Sequence, residues 1–123
     1  MASNAVINQN ITISSLAELS LAEDLISTDE GDPTVTINGD LTVDNTGSSD
    51  ITDASDVARL NAVLGKIKVV MSAVDIDTPS ALDAAALQYV GDTFSITGDV
   101  SAGALATVTG AVTITSNDTI LMP

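Results

Sequence analysis

The chain has 123 residues, a formal net charge of −14, 2% aromatic residues, and no Cys, His or Trp. One domain is expected, with a core of Val, Ile, Leu and Ala, without disulfides and without the thiolate and imidazole ligands of the common zinc, copper and haem sites. Three Lys/Arg against 17 Asp/Glu cannot neutralise a phosphate backbone or an anionic bilayer, so neither nucleic acid nor a membrane is an expected partner.

Residues 1–10 read as a polar arm or edge strand, and residues 11–123 as a single β-rich repeat domain. Met1 to Ala5 has no basic region and no apolar run, so no signal peptide is read there; the initiating Met-Ala favours cytoplasmic assembly, with a leader already removed as the alternative. Ile11-Thr12-Ile13 alternates. Leu16, Leu19, Leu21 and Leu25 fall at i,i+3 and i,i+4 spacings, which predicts a short helix stopped by Asp29 to Pro33. Thr34 to Val43 reads as strand, turn, strand about Asn38-Gly39, a strong hairpin signal. A polar loop covers Asp44 to Asp53. A helix capped by Ser55 or Asp56 then carries Val57, Leu60, Val63 and Leu64 on one face and ends at a C′ Gly65. Lys66 to Val70 and Val74 to Ile76 read as strands, and Ser80 to Val90 as a helix or compact turn.

A phrase recurs along the chain. Val35-Thr36-Ile37-Asn38-Gly39-Asp40-Leu41 returns as Phe94-Ser95-Ile96-Thr97-Gly98-Asp99-Val100, and with two extra residues from Val112 to Ile120. A second element precedes the later strands: Leu60-x-x-Val63-x-Gly65, Leu87-x-x-Val90-Gly91 and Leu105-x-x-Val108-x-Gly110. Its valines are 27 and then 18 residues apart. A repeated unit that cannot close its own core stacks on its neighbours. The expected internal columns are Val35, Ile67, Phe94 and Val112; then Ile37, Val69, Ile96 and Ile114; then Leu41, Val74, Val100 and Ile120.

The pattern Leu-x-x-Val-x-Gly-x-Val-x-Ile-x-x-Asn, clearest over Leu105 to Asn117 and looser over Leu87 to Gly98, resembles the repeats of receptor L domains and related leucine-rich β-solenoids. The resemblance covers the last third of the chain. It implies a right-handed solenoid used for binding or adhesion, with no catalytic residues to carry over. A long Asp-rich insertion and the use of Ala and Val in place of Leu depart from the pattern. The fold expected is therefore mainly β: a short right-handed parallel β-solenoid with one or two short helices. The alternative is a small antiparallel β-sandwich or jelly roll, with hairpins at Asn38-Gly39, Thr97 to Asp99 and Ser116 to Asp118.

Few residues suggest chemistry. Taking Asp44 as position 1 of a calcium loop puts Thr46 and Ser48 at positions 3 and 5, Gly47 at 4 and Ser55 at 12. An EF-hand register requires Gly at 6 and an acid at 12, so a solvated loop is the better reading. No cofactor is expected, and calcium is the one ion left open. Asp40, Asp99 and Asp118 would form a corner ladder of like charges in a stacked coil, but turn chemistry alone accounts for Asp there. Arg59, Lys66 and Lys68 are the only cations; they either offset neighbouring Asp charges or dock on an acidic partner or another copy. The expected function is a non-enzymatic structural protein: a virion component such as a capsid decoration, fibre or spike protein. Its expected partners are copies of itself, a trimer first, and a protein scaffold such as a capsid. The alternative is an extracellular or cell-surface adhesion or ligand-binding module of L-domain type.

Overall fold

The computed structural model describes residues 6–26, 34–44, 46, 51, 53–78, 82–84, 86–98 and 100–115. Pairs of short strands meet at a three-residue corner. They are β1 (Val6–Ile7) and β2 (Ile11–Ile13), β3 (Val35–Ile37) and β4 (Leu41–Asp44), and β5 (Ile67–Val70) and β6 (Val74–Asp77). After β7 (Leu82–Asp83) come β8 (Tyr89–Val90) and β9 (Phe94–Thr97), and after β10 (Val100–Ser101) come β11 (Thr107–Val108) and β12 (Val112–Thr115). Two helices, α1 (Leu16–Leu25) and α2 (Ala54–Leu64), follow β2 and β4.

The first strand of each pair enters one sheet, ordered β1-β3-β5-β8-β11, and the second enters another, ordered β2-β4-β6-β9-β12. A third, two-stranded sheet joins β7 to β10. Every strand pairing among the described residues is parallel. That overturns the antiparallel alternative. The Asn38-Gly39-Asp40 segment is a corner between two sheets rather than a hairpin, because β3 pairs with β1 and β5 while β4 pairs with β2 and β6. Likewise Thr97-Gly98 follows β9 out of the second sheet towards β10 in the third. The proposed turn at Ser116 to Asp118, and the helix stop from Asp29 to Pro33, lie outside the described residues.

Alternation decides which side chains face inward. In the second sheet the inward columns are Ile11, Leu41, Val74, Phe94, Val112 and Ile13, Val43, Ile76, Ile96, Ile114. In the first sheet Ile7, Ile37, Val70, Val90 and Val108 align. Except for Val112 and Ile114, and with Val108 partly buried against it, these columns join Leu19 of α1, Leu60 of α2, Leu82 and Val100 in one buried apolar cluster. A fully buried side chain of this size contributes about 1.5–3 kcal/mol.

The expected columns hold only in part. Val35 pairs with Ile67, Phe94 with Val112 and Ile96 with Ile114. But Phe94 stacks on Val74 and Leu41, not on Val35, because the two copies of the opening phrase lie in different sheets. Ile37 pairs with Val70 rather than Val69, since a register shift between Val35 and Thr36 leaves Lys68 as an extra residue in β5. Val100 belongs to the third sheet, beside Leu82.

The remaining side of each repeat is filled differently along the chain. It is α1 first, then α2, then the short strands β7 and β10. Ser15 caps α1 by accepting a hydrogen bond at Oγ from Glu18 N–H, 3.2 Å, and Glu18 Oε1 accepts from Ser14 N–H, 2.8 Å. For α2 the N-cap is Asp53 rather than Ser55 or Asp56, and Gly65 closes it in right-handed geometry, φ −68°, not as a left-handed C′ residue. The Leu60-x-x-Val63 copy is therefore helical. The Leu87 and Leu105 copies are equivalent turns, with their N–H groups donating to Ala84 and Ala102 carbonyls at 3.2 and 3.1 Å. Ser80 to Val90 follows the compact-turn reading where described, giving β7, a turn and β8. The arm contributes an edge strand, Val6–Ile7.

Candidate docking surface

The three cations occupy different elements. Arg59 is in α2 and is engaged across to α1. Its Nη2 donates to Glu23 Oε1 at 2.6 Å and its Nε to Glu23 Oε2 at 3.1 Å, with Nη2 also 3.3 Å from Ser20 Oγ. Asp56 lies 3.6 Å from Nη1. The hydrogen bond to Glu23 raises the Arg59 pKa further. This forked pairing locks two helices on successive levels together. Lys68 projects from the first sheet into solvent, and Lys66 sits between α2 and β5. Of the three cations expected to dock or to offset neighbouring charge, Arg59 has a structural task in holding α1 against α2.

The Asp-rich loop is described at Asp44, Thr46, Ile51 and Asp53 only. Asp44 Oδ1 accepts from Thr46 Oγ1 at 2.6 Å and from Thr46 N–H at 3.0 Å. These bonds, the side-chain one foremost, hold the Asp44 pKa below its ordinary value. That is local turn chemistry. Asp40 has a similar duty: its Oδ1 accepts from Ala73 N–H at 3.0 Å, and its own N–H donates to Asn10 Oδ1 at 2.9 Å. Its neighbours in the corner column are Asn10 and Ala73, so the ladder expected between Asp40 and Asp99 is not built from Asp40. Asp40 precedes a strand of the second sheet, whereas Asp99 follows one. Asp99 and Asp118 themselves lie outside the described residues. Among the described residues no group of three acids could hold a metal ion.

Two surfaces that sequence reasoning passed over stand at opposite ends of the stack. At the far end, all four residues of β12 are exposed. Val112 is 48% and Ile114 39% exposed, although Phe94 and Ile96, directly beneath them in the same columns, are fully buried. At the near end, a groove of ≈ 420 Å³ runs between the outer edge of β2 and α1. Ile11, Thr12, Leu21 and Leu25 line it together with the acids Glu18 and Asp24, and Leu21 is 63% exposed. The sequence does carry a signal for the strands at the two ends. Residues 1–17 and 100–117 contain no charged side chain, and 16 of the 17 acids lie from Glu18 to Asp99.

Among the described residues no helix is long and apolar enough to cross a membrane. Comparison with protein-family models, with curated proteins and with solved structures gave no match.

Proposed function

We propose that this chain is a non-enzymatic structural protein that assembles with copies of itself or docks on a larger scaffold, as a virion fibre or capsid decoration protein does. In this reading the parallel sheets are the sides of a short right-handed β-solenoid, each strand pair is one of its levels, and the solenoid serves as a building block. The observation that carries the reading is the last described level. Its strand repeats the inward pattern of the levels below, yet leaves Val112 and Ile114 open to solvent. An uncovered edge strand of β-branched residues is a template for another chain, and natural proteins usually guard such an edge with charge or proline. Between Val100 and Thr115 there is neither. Oligomerisation is the natural cover.

Sedimentation velocity across salt and calcium concentrations tests this. Oligomers should appear, and more strongly at high salt, because screening relieves the repulsion between molecules of net charge −14. A strict monomer under every condition refutes self-assembly.

A further inference from the structure

Successive levels are joined by two regular series of backbone hydrogen bonds. In the second sheet, Ile11 N–H donates to Asp40, Leu41 to Ala73, Val74 to Thr93 and Phe94 to Ala111, all at 2.8–2.9 Å. In the first, Asn38 N–H donates to Ile7, Met71 to Ile37, Gly91 to Val70 and Thr109 to Val90, at 2.8–3.0 Å. Backbone groups of a parallel strand point alternately to its two neighbours. Ile11 therefore faces β4, which turns the N–H and C=O of Thr12 to the free edge of β2. At the far end, the same alternation turns those of Val112 and Ile114 to the edge of β12 that pairs with no other described strand.

We propose that copies of this chain join head to tail, β12 of one pairing in parallel with β2 of the next and β11 with β1. This rests on the self-assembly reading above and specifies its contact. The two series continue across the junction without a break: Val112 N–H donates to Asn10 C=O of the next copy, and Asn8 N–H of that copy donates to Val108 C=O. Of the side chains brought into register, Val112 and Ile114 are open at the far end, whereas Ile11 and Ile13 are already buried within the first level, so the exposed Thr12 and the groove beside β2 receive the incoming strand. The corners match, since residues 8–10 and 109–111 are both three-residue turns between the same two sheets. The groove beside β2 lies along the edge where the incoming strand would sit, with Leu21 and Leu25 of α1 on its far wall.

Charge selects this pairing. In a molecule of net charge −14, the strands and corners at the two ends are uncharged, whereas Asp40, Asp44, Asp75, Asp77 and Asp92 mark the levels between. Meeting end to end brings uncharged strands and corners together, with Glu18 and Asp24 lining the groove beside β2, whereas meeting side to side sets the carboxylates of the middle levels against one another. The contact is heterologous, joining two different surfaces, so it propagates as an open chain of copies instead of closing as a symmetric pair.

Two blocked proteins test the junction. Val112→Pro combined with Ile114→Lys disables the far end, and Thr12→Pro disables the near end. Each proline removes an N–H that faces the free edge, so the internal ladders are kept. Leu21→Lys is a second near-end block at a side chain already in solvent. Circular dichroism and thermal melting establish that each is folded.

In sedimentation velocity at high salt, the wild type should show a size distribution that grows with concentration. Each blocked protein alone should be monomeric. The two mixed in equal amounts should give a two-chain species and nothing larger, because one working end remains on each. A closed oligomer of fixed size, or blocked proteins that assemble like the wild type, overturns the head-to-tail contact while leaving self-assembly standing. A wild type that never assembles overturns both.

Discussion

Phe94 is the single phenylalanine of the chain and is fully buried, and its parallel partner in the next strand is Val74. Exchanging the two residues tests the register directly. Phe94→Val removes four carbons from a closed core, which at about 0.8 kcal/mol per methylene costs about 3 kcal/mol. Val74→Phe overfills its own level and costs about 1–3 kcal/mol. Were the sites independent, the double exchange would cost about 4–6 kcal/mol, enough to threaten a domain whose whole stability is about 5–15 kcal/mol. Because Val74 and Phe94 share one column, the new ring enters the space that the old one vacated. The double variant should recover on the order of 2 kcal/mol relative to the sum. Urea unfolding followed by circular dichroism, at low protein concentration, measures the four stabilities of the cycle. Strict additivity would refute the shared column. Coupling of Phe94 to Ile67 instead, in a second cycle, would restore the register expected from the repeated phrase.

Two further outcomes follow from local geometry. Gly98 adopts φ 117°, and a Cβ there would lie 2.0 Å from the Thr78 carbonyl oxygen. Gly98→Ala should therefore lose roughly 1–3 kcal/mol from the backbone conformation alone, with more from the displaced strand, and a melting curve matching wild type would contradict it. The Asp44 carboxylate, held by Thr46, should titrate below its ordinary value in a carboxyl NMR titration, and Thr46→Val should raise it by removing the side-chain hydrogen bond while the Thr46 N–H bond remains. A depressed carboxyl pKa contributes stability above the unfolded value, and that contribution is lost as pH falls through the lower folded value. An Asp44 resonance unmoved by Thr46→Val would contradict the assignment.

The alternating segments, the two helices and the 18-residue spacing of the last levels were legible in the sequence, because each depends on neighbours a few residues away. Leu87 and Leu105, read as inward residues of a return segment, are both buried. The phase of the repeat was not legible. Val35-Thr36-Ile37-Asn38-Gly39-Asp40 and Phe94-Ser95-Ile96-Thr97-Gly98-Asp99 share a pattern because the corners after β3 and after β9 ask for similar turn residues. Which sheet a strand joins depends instead on partners 18 to 33 residues away, such as Val90 and Val108 or Ile37 and Val70. The extra residue at Lys68 has no local signature either. Among candidate docking features, the cations drew attention because they are rare, yet Arg59 is used to hold α1 against α2. The end strands are marked by a lack of charge, which gains meaning only once β2 and β12 are known to be the outermost described strands of their sheet.

The parallel stacking of levels is tested most directly by disulfide formation in a chain that has no cysteine of its own. Asp75 and Ser95 are partners on the outer face of β6 and β9, at the spacing of neighbouring strands, about 4.8 Å, which a disulfide can bridge. Thr36 and Thr42 flank the Asn38-Gly39-Asp40 corner; an antiparallel hairpin would set them opposite each other, but here they belong to different sheets. The Asp75→Cys/Ser95→Cys protein should oxidise within single chains under mild conditions, and the Thr36→Cys/Thr42→Cys protein should keep its thiols. The reverse result, with the corner pair bridged and the strand pair free, would contradict the stacked parallel arrangement.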